Sequence, residues 1–282
     1  MGRSITRRVA AGLFVAALLG GGVARAAASV QIRGAAVRVV VIPEARRTIG
    51  VEILHAARSL PLKVRRLGDR VTILGNVARR VHGCGLTGGR QTVHIGGHGD
   101  TPIEALPQIV LRTPMDVRIS AGDAAFGSIG RSVALDLTNQ GCGTWTVADV
   151  AGRMRVDQAG AGVTRTGTAQ TADLSVAGSG TLKTQAIAGG VTAVSSGAGD
   201  IVVARIDGAV DVRVAGAGTI RIAGGRAPMF KASIAGSGDV AFAGDVRDLD
   251  AMIAGPGQVK VGRVTGVVTK RVFGTGRVTV GP

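Results

Sequence analysis

A pair of glycines separated by a single residue returns along the C-terminal half of the chain at almost constant spacing. The pairs are Gly141/Gly143, Gly160/Gly162, Gly178/Gly180, Gly197/Gly199, Gly216/Gly218, Gly236/Gly238, Gly255/Gly257 and Gly274/Gly276. Successive intervals are 19, 18, 19, 19, 20, 19 and 19 residues. A period of this length marks a solenoid, in which no unit buries its apolar face alone and stacking completes the core. Within a unit, apolar residues alternate as strands require. After Gly197, Ile201 and Val203 alternate, Ile206 and Val210 follow a polar corner, then Val212 and Val214 alternate. The next unit repeats this with Ile220 and Ile222, then Phe230, Ala232 and Ile234. No unit has a helical period. The pattern predicts an all-β parallel β-helix (solenoid) of about 19-residue coils, rising ~4.8 Å per coil. Its narrow interior would be filled by Val, Ile, Leu and Ala. An antiparallel prism or sandwich is the alternative source of periodic strand pairs.

The regular repeats occupy 117–282, with Val117 and Ile119 opening a first imperfect coil. Residues 27–116 read as an irregular β segment that caps or begins the solenoid. Short runs such as Val37–Ile42, Val71–Leu74, Thr92–Ile95 and Ile109–Leu111 lie there, with five of the eight prolines. Residues 1–26 read as a cleavable export signal. Arg3, Arg7 and Arg8 precede an apolar stretch from Val9 to Val23, and Ala24-Arg25-Ala26 satisfies the small-x-small rule. A membrane anchor is the alternative, but the stretch falls short of the ~20 residues that a spanning helix needs. The expected product is an exported chain, periplasmic or at the cell surface, with no transmembrane segment in its mature part.

The tandem motifs Val176-Ala-Gly-Ser-Gly-Thr-Leu182, Ser196-Gly-Ala-Gly-Asp-Ile201, Val214-Ala-Gly-Ala-Gly-Thr-Ile220 and Ile234-Ala-Gly-Ser-Gly-Asp-Val240 resemble those of the GIN-domain family, described as auto-transporter adhesin head domains. The resemblance extends over roughly residues 30–282. It implies a secreted, right-handed β-helix with an adhesive role, and it carries no catalytic residues. No series of amphipathic barrel strands follows the repeats, as an autotransporter would need.

Without residues 1–26 the chain keeps thirty Lys and Arg against eighteen Asp and Glu, a net charge of +12. Such a balance favours anionic partners such as envelope polymers or acidic polysaccharide; a soluble surface of like charge is the bland alternative. Aligning the repeats gives the charge a place. Between the two inward apolar residues after each glycine pair stand Thr146, Arg165, Lys183, Val202, Arg221, Ala241, Lys260 and Thr279. Arg165, Lys183, Arg221 and Lys260 would form a broken basic stripe, the candidate polyanion-binding set. With aromatics at 2% and no tyrosine, stacking platforms for bases are missing, so no dedicated nucleic-acid site is expected.

Cys84 and Cys142 are the only cysteines. In an exported chain they form a candidate disulfide. His82, Cys84, His94 and His98 could instead supply zinc ligands, but the cysteine has this competing use, and no metal is expected. A calcium ladder needs an aspartate in every turn, and Asp200 and Asp239 share their column with Thr144, Val163, Thr181, Thr219, Gln258 and Arg277. No cofactor is expected. Glycoside hydrolysis needs paired carboxylates; no column repeats an acid pair beside an aromatic, and Trp145 takes an inward position. The chain therefore reads as a non-enzymatic structural or adhesion module, presenting a basic face to anionic envelope or matrix polymers. A self-assembling periplasmic scaffold is the alternative, since the edge of the last coil is open to pairing with another copy.

Overall fold

The structure, a computed structural model, describes residues 27–281. The export-signal reading falls outside the described residues. The fold is a β-solenoid of about nine turns with ~19-residue spacing. Among the described residues no α-helix occurs, and so none long and apolar enough to cross a membrane.

Each regular coil has two long faces and a short third one. On the first face, strands such as Ala134–Asn139, Arg153–Ala159, Thr171–Gly178, Val191–Gly197 and Val210–Gly216 stack in parallel. On the second face, Thr144–Val147, Val163–Thr166, Asp200–Asp207 and Thr219–Ile222 belong to another parallel stack. Alternation decides which side chains turn inward. Val210, Val212 and Val214 are buried from one face; Ile201 and Val203 meet them from the other. Burying a branched aliphatic side chain stabilises by about 1.5–3 kcal/mol, and the single core runs through every coil.

The glycine pair lies at the corner between the two faces, where successive coils come closest. Gly216 has φ +124°, and a Cβ there would stand 2.5 Å from the Gly197 carbonyl oxygen. A Cβ on Gly218 would meet the Gly199 oxygen at 2.5 Å and the Ser195 hydroxyl at 2.2 Å. Both positions therefore exclude every side chain, which is why the pair recurs at each turn. Just inside this corner, early coils carry polar residues where later ones have Val214, Ile234 and Ile253. Buried Asn139 donates to the Gly143 carbonyl and to Gln158 Oε1, both at 3.0 Å, and Thr164 donates to the same Oε1 at 2.8 Å. Ser195 donates to the Gly199 carbonyl at 2.8 Å. These bonds satisfy the buried polar groups that the corner would otherwise orphan.

The N-terminal segment is more regular than its sequence suggests. Its strands are β1 (Ser29–Arg33), β2 (Ala36–Pro43), β3 (Gly50–His55), β4 (Lys63–Leu67), β5 (Arg70–Leu74), β6 (Val81–Thr87), β7 (Arg90–Ile95), β8 (Gly99–Pro102) and β9 (Gln108–Thr113). They are followed by β10 (Asp116–Ala121) and β11 (Ala124–Ile129), the first coil of the regular run. β1 lies parallel between β5 and β10, and β2 between β9 and β11. Two complete coils are thus built from 29–113, with the earlier segment of chain inserted second. Beyond them β3 pairs antiparallel with β9 and β4 with β5. This reversal closes the N-terminal end of the stack.

β6, β7 and β8 form a separate antiparallel sheet. Val93 and Ile95 from it pack with Ala36, Ala124 and Phe126 in a second small core. Cys84 and Cys142 are joined in a disulfide, with Cα atoms 5.5 Å apart, that ties this sheet to the solenoid. A link across 58 residues stabilises by about 4 kcal/mol in the chain-entropy account.

At the far end the last coil, Val268–Phe273 and Arg277–Val280, has no further strand against it among the described residues. Val268 and Val272 continue the inward columns of Leu249 and Ile253, but Lys270 stands where Ala251 was. Its ammonium donates to the Val278 carbonyl at 3.4 Å, reaching across the coil mouth.

Trp145 occupies an inward position and is fully buried. Its indole fits because the residue below it in the preceding coil is Gly127, where a Cβ would come within 2.1 Å of the ring. Gly127→Val should therefore cost about 1–3 kcal/mol or more through overpacking. Urea unfolding followed by Trp145 fluorescence measures this; an unchanged midpoint would show that the indole is free to move.

Candidate anion-binding face

The register of the second face runs Thr146, Arg165, Lys183, Val202, Arg221, Ala241, Lys260, Thr279. The four cations of the predicted stripe are brought into one column, and all four are exposed. At ~4.8 Å per coil the column from Arg165 to Lys260 spans about 24 Å. Among the described residues none of the four is ion-paired. In the flanking column stand Thr181, Asp200, Thr219, Asp239, Gln258 and Arg277. The strip therefore carries five cations against two carboxylates. Its early end is defined by the small β6–β8 sheet, which covers the outward side of β2 and β11 at Ala36, Ala124 and Phe126.

The first face carries more charges but almost no excess. One outward column reads Arg118, Asp136, Arg155, Asp173, Thr192, Asp211, Lys231, Asp250. Except at Thr192, opposite charges alternate from coil to coil, and ion pairs within and between strands take up most of them. Arg153 reaches Asp173 at 2.6 Å, Arg155 reaches Asp157 at 2.9 Å, Arg213 reaches Asp211 at 2.7 Å and Arg271 reaches Asp250 at 2.9 Å. Exposed pairs of this kind contribute little stability each, but they cancel the field over that face. Sequence reading missed this ladder. Its signal was an alternation of charge sign at the 19-residue period, visible only once the register is known.

On the short third face, aspartates clamp one coil to the next. Asp149 Oδ1 accepts the backbone N–H and the hydroxyl of Thr168, both at 2.9 Å. Asp248 Oδ1 accepts the N–H of Val267 at 3.0 Å, and its other oxygen accepts from Arg247 at 2.9 Å. The Thr168 N–H and then its hydroxyl hold Asp149 below the usual carboxylate range; the Val267 N–H and then Arg247 do the same for Asp248. The hydrogen bond from Arg205 is the main cause of the same shift at Asp207.

The histidines weighed as zinc ligands lie on or beside the β6–β8 sheet. His94 Nδ1 lies 2.8 Å from Asp100 Oδ1, Thr87 donates to Asp100 Oδ2 at 3.0 Å, and the His82 and His94 rings are 5.6 Å apart. The His94 contact, followed by that of Thr87, pulls Asp100 below its ordinary range. Cys84 is committed to the disulfide and offers no thiolate. Among the described residues no group of three or more His, Cys, Asp or Glu is arranged around a metal position.

No family model, no curated protein and no solved structure matches this chain.

The clamps contribute to the response to acid, as do Asp100 and Asp207, which are shifted the same way. Their folded-state pKa values are depressed, so the unfolded chain binds more protons than the native one as pH falls. The stability they contribute is full above the ordinary aspartate value of 3.8 and is lost below it. Thermal unfolding should show Tm dropping below about pH 4. The double variant Asp149→Asn/Asp248→Asn should show a shallower drop, and an identical slope would assign the acid sensitivity to other groups.

Proposed function

We propose that the protein is a non-enzymatic, exported adhesion-type module whose second face binds anionic polymers of the cell envelope or matrix through Arg165, Lys183, Arg221 and Lys260. The observation that carries this reading is the contrast between the faces. One has most of its charges paired and nearly balanced, whereas the other keeps a column of unpaired cations on a rigid backbone at regular spacing. Cations held in line by a β-ladder pay little ordering entropy on meeting a linear polyanion. Each contact formed releases counterions, so affinity falls steeply with salt. The resemblance to GIN domains supports the adhesive role, and the disulfide supports an oxidising compartment.

The scaffold alternative needs both ends of the rod to pair. β3 and β4 close one end, and Lys270 stands in the mouth of the other, where a stacked coil would bury its ammonium. These features favour the binding module over a head-to-tail filament. Lys270→Val should raise self-association at micromolar concentration, measured by sedimentation velocity against the wild-type chain. If both chains are equally monomeric, the lysine is not what guards this end.

The binding reading is tested with a soluble polyanion, such as polygalacturonate or polyphosphate, in a salt titration. Replacing the four cations with Gln should reduce affinity at least a hundredfold at low salt and flatten the dependence of log K on log salt by about three to four. Retention of the wild-type slope would remove the stripe from the binding surface.

A further inference from the structure

Most of the excess charge lies away from the stripe. Residues 27–113 contain thirteen Lys and Arg against five Asp and Glu, whereas 114–282 contain seventeen against thirteen. The densest run of cations, Lys63, Arg65, Arg66 and Arg70, lies at the closed end, with Glu52 and Asp69 beside it. Every residue of β4, Lys63-Val-Arg-Arg-Leu67, is exposed. Leu67 pairs with Arg70, so the β4–β5 hairpin turns at Gly68-Asp69 and holds Leu67 beside the tip. There Leu67 is 81% exposed. On the other outermost strand, β3, Ile53 and Leu54 are 46% and 54% exposed. Arg66 ties β4 to the residue preceding β3 by donating to the Ile49 carbonyl at 2.7 Å. Lys63, Arg65 and Arg70 are not ion-paired among the described residues.

The last strands of a capped solenoid need only polar side chains outward, and no packing requirement places leucine at the hairpin tip. Cations alone would suit any polyanion. Cations that flank protruding aliphatic side chains match a different surface, one with anionic groups outside and an apolar layer beneath them. We propose that the closed end of the rod, β3 together with the β4–β5 hairpin, docks on a lipid bilayer containing anionic headgroups. Leu67 enters the acyl boundary, while Lys63, Arg65 and Arg70 bond the headgroup phosphates and keep their stems along the apolar surface. Docking by this end leaves the stripe along the side of the rod free. The proposal does not rest on the polyanion reading.

The test uses residues 27–282, which contain the whole described core, so that the apolar N-terminal stretch cannot bind lipid itself. Co-sedimentation is measured with phosphatidylcholine vesicles with and without phosphatidylglycerol. The wild-type chain should bind only the anionic vesicles and be released by salt. Leu67→Ser should weaken binding roughly tenfold or more, and Arg65→Glu should do so with a reduced salt dependence. Both sites are exposed, so the variants should unfold at the wild-type temperature. Leu67→Trp adds a direct readout, because its emission should shift to shorter wavelength only if the tip leaves water. Absence of vesicle binding, undiminished binding by Leu67→Ser, or a Leu67→Trp emission unmoved by vesicles would each overturn the proposal. The four-Gln stripe variant should bind vesicles normally, and Leu67→Ser should bind soluble polyanion normally. A vesicle-binding loss in the stripe variant would place the lipid contact on the second face and likewise overturn the closed-end assignment.

Discussion

Everything in this rod depends on how closely one coil can approach the next at its glycine-lined corner. Parallel strands keep a spacing of about 4.8 Å only if the chain turns without a side chain between stacked backbones. At Gly216 and Gly218 the carbonyl of the preceding coil occupies the space a Cβ would take. Once the corner closes this tightly, the columns on both faces fall into register, and every later property is a property of columns. The buried Val and Ile columns form the core, and the outward ones form a charge ladder and a basic stripe.

The two faces show what register does to charge. Arg155 and Asp173 are 18 residues apart in the chain and adjacent on the first face, while Lys183 and Arg221 share a column on the second with Val202 between them. A modest net charge can therefore be concentrated by pairing most of it away. Local pairs such as Arg205 with Asp207 and Arg213 with Asp211 do the same within a strand. What remains unpaired lies along the side, in the second-face column, and at the closed end.

The ends obey a different requirement. A solenoid has two open edges, and here they differ. One is covered by reversing strand direction in β3 and β4; the other has a lysine turned into its mouth. Antiparallel strands suit the first task because a reversed strand satisfies the edge hydrogen bonds without presenting the register that a further parallel coil would need. The N-terminal region is thereby both cap and coil, a division its irregular spacing does not reveal.

The repeat period and alternation determined the solenoid, its coil length and the stripe column from Thr146 to Thr279, because each is a relation between positions one turn apart. The two cysteines, lying in an otherwise cysteine-free chain, also pointed to their own pairing. Only the tertiary structure decided that β1 and β2 insert between β5/β9 and β10/β11, that Gly127 makes room for Trp145, and that the closed end gathers Leu67 with its cations. It also decided the meeting of His94 with Asp100. These arrangements join residues through chain reversals and cross-coil packing, which leave no period to read. A repeat encodes its neighbours one turn away; a cap is defined by contacts made once.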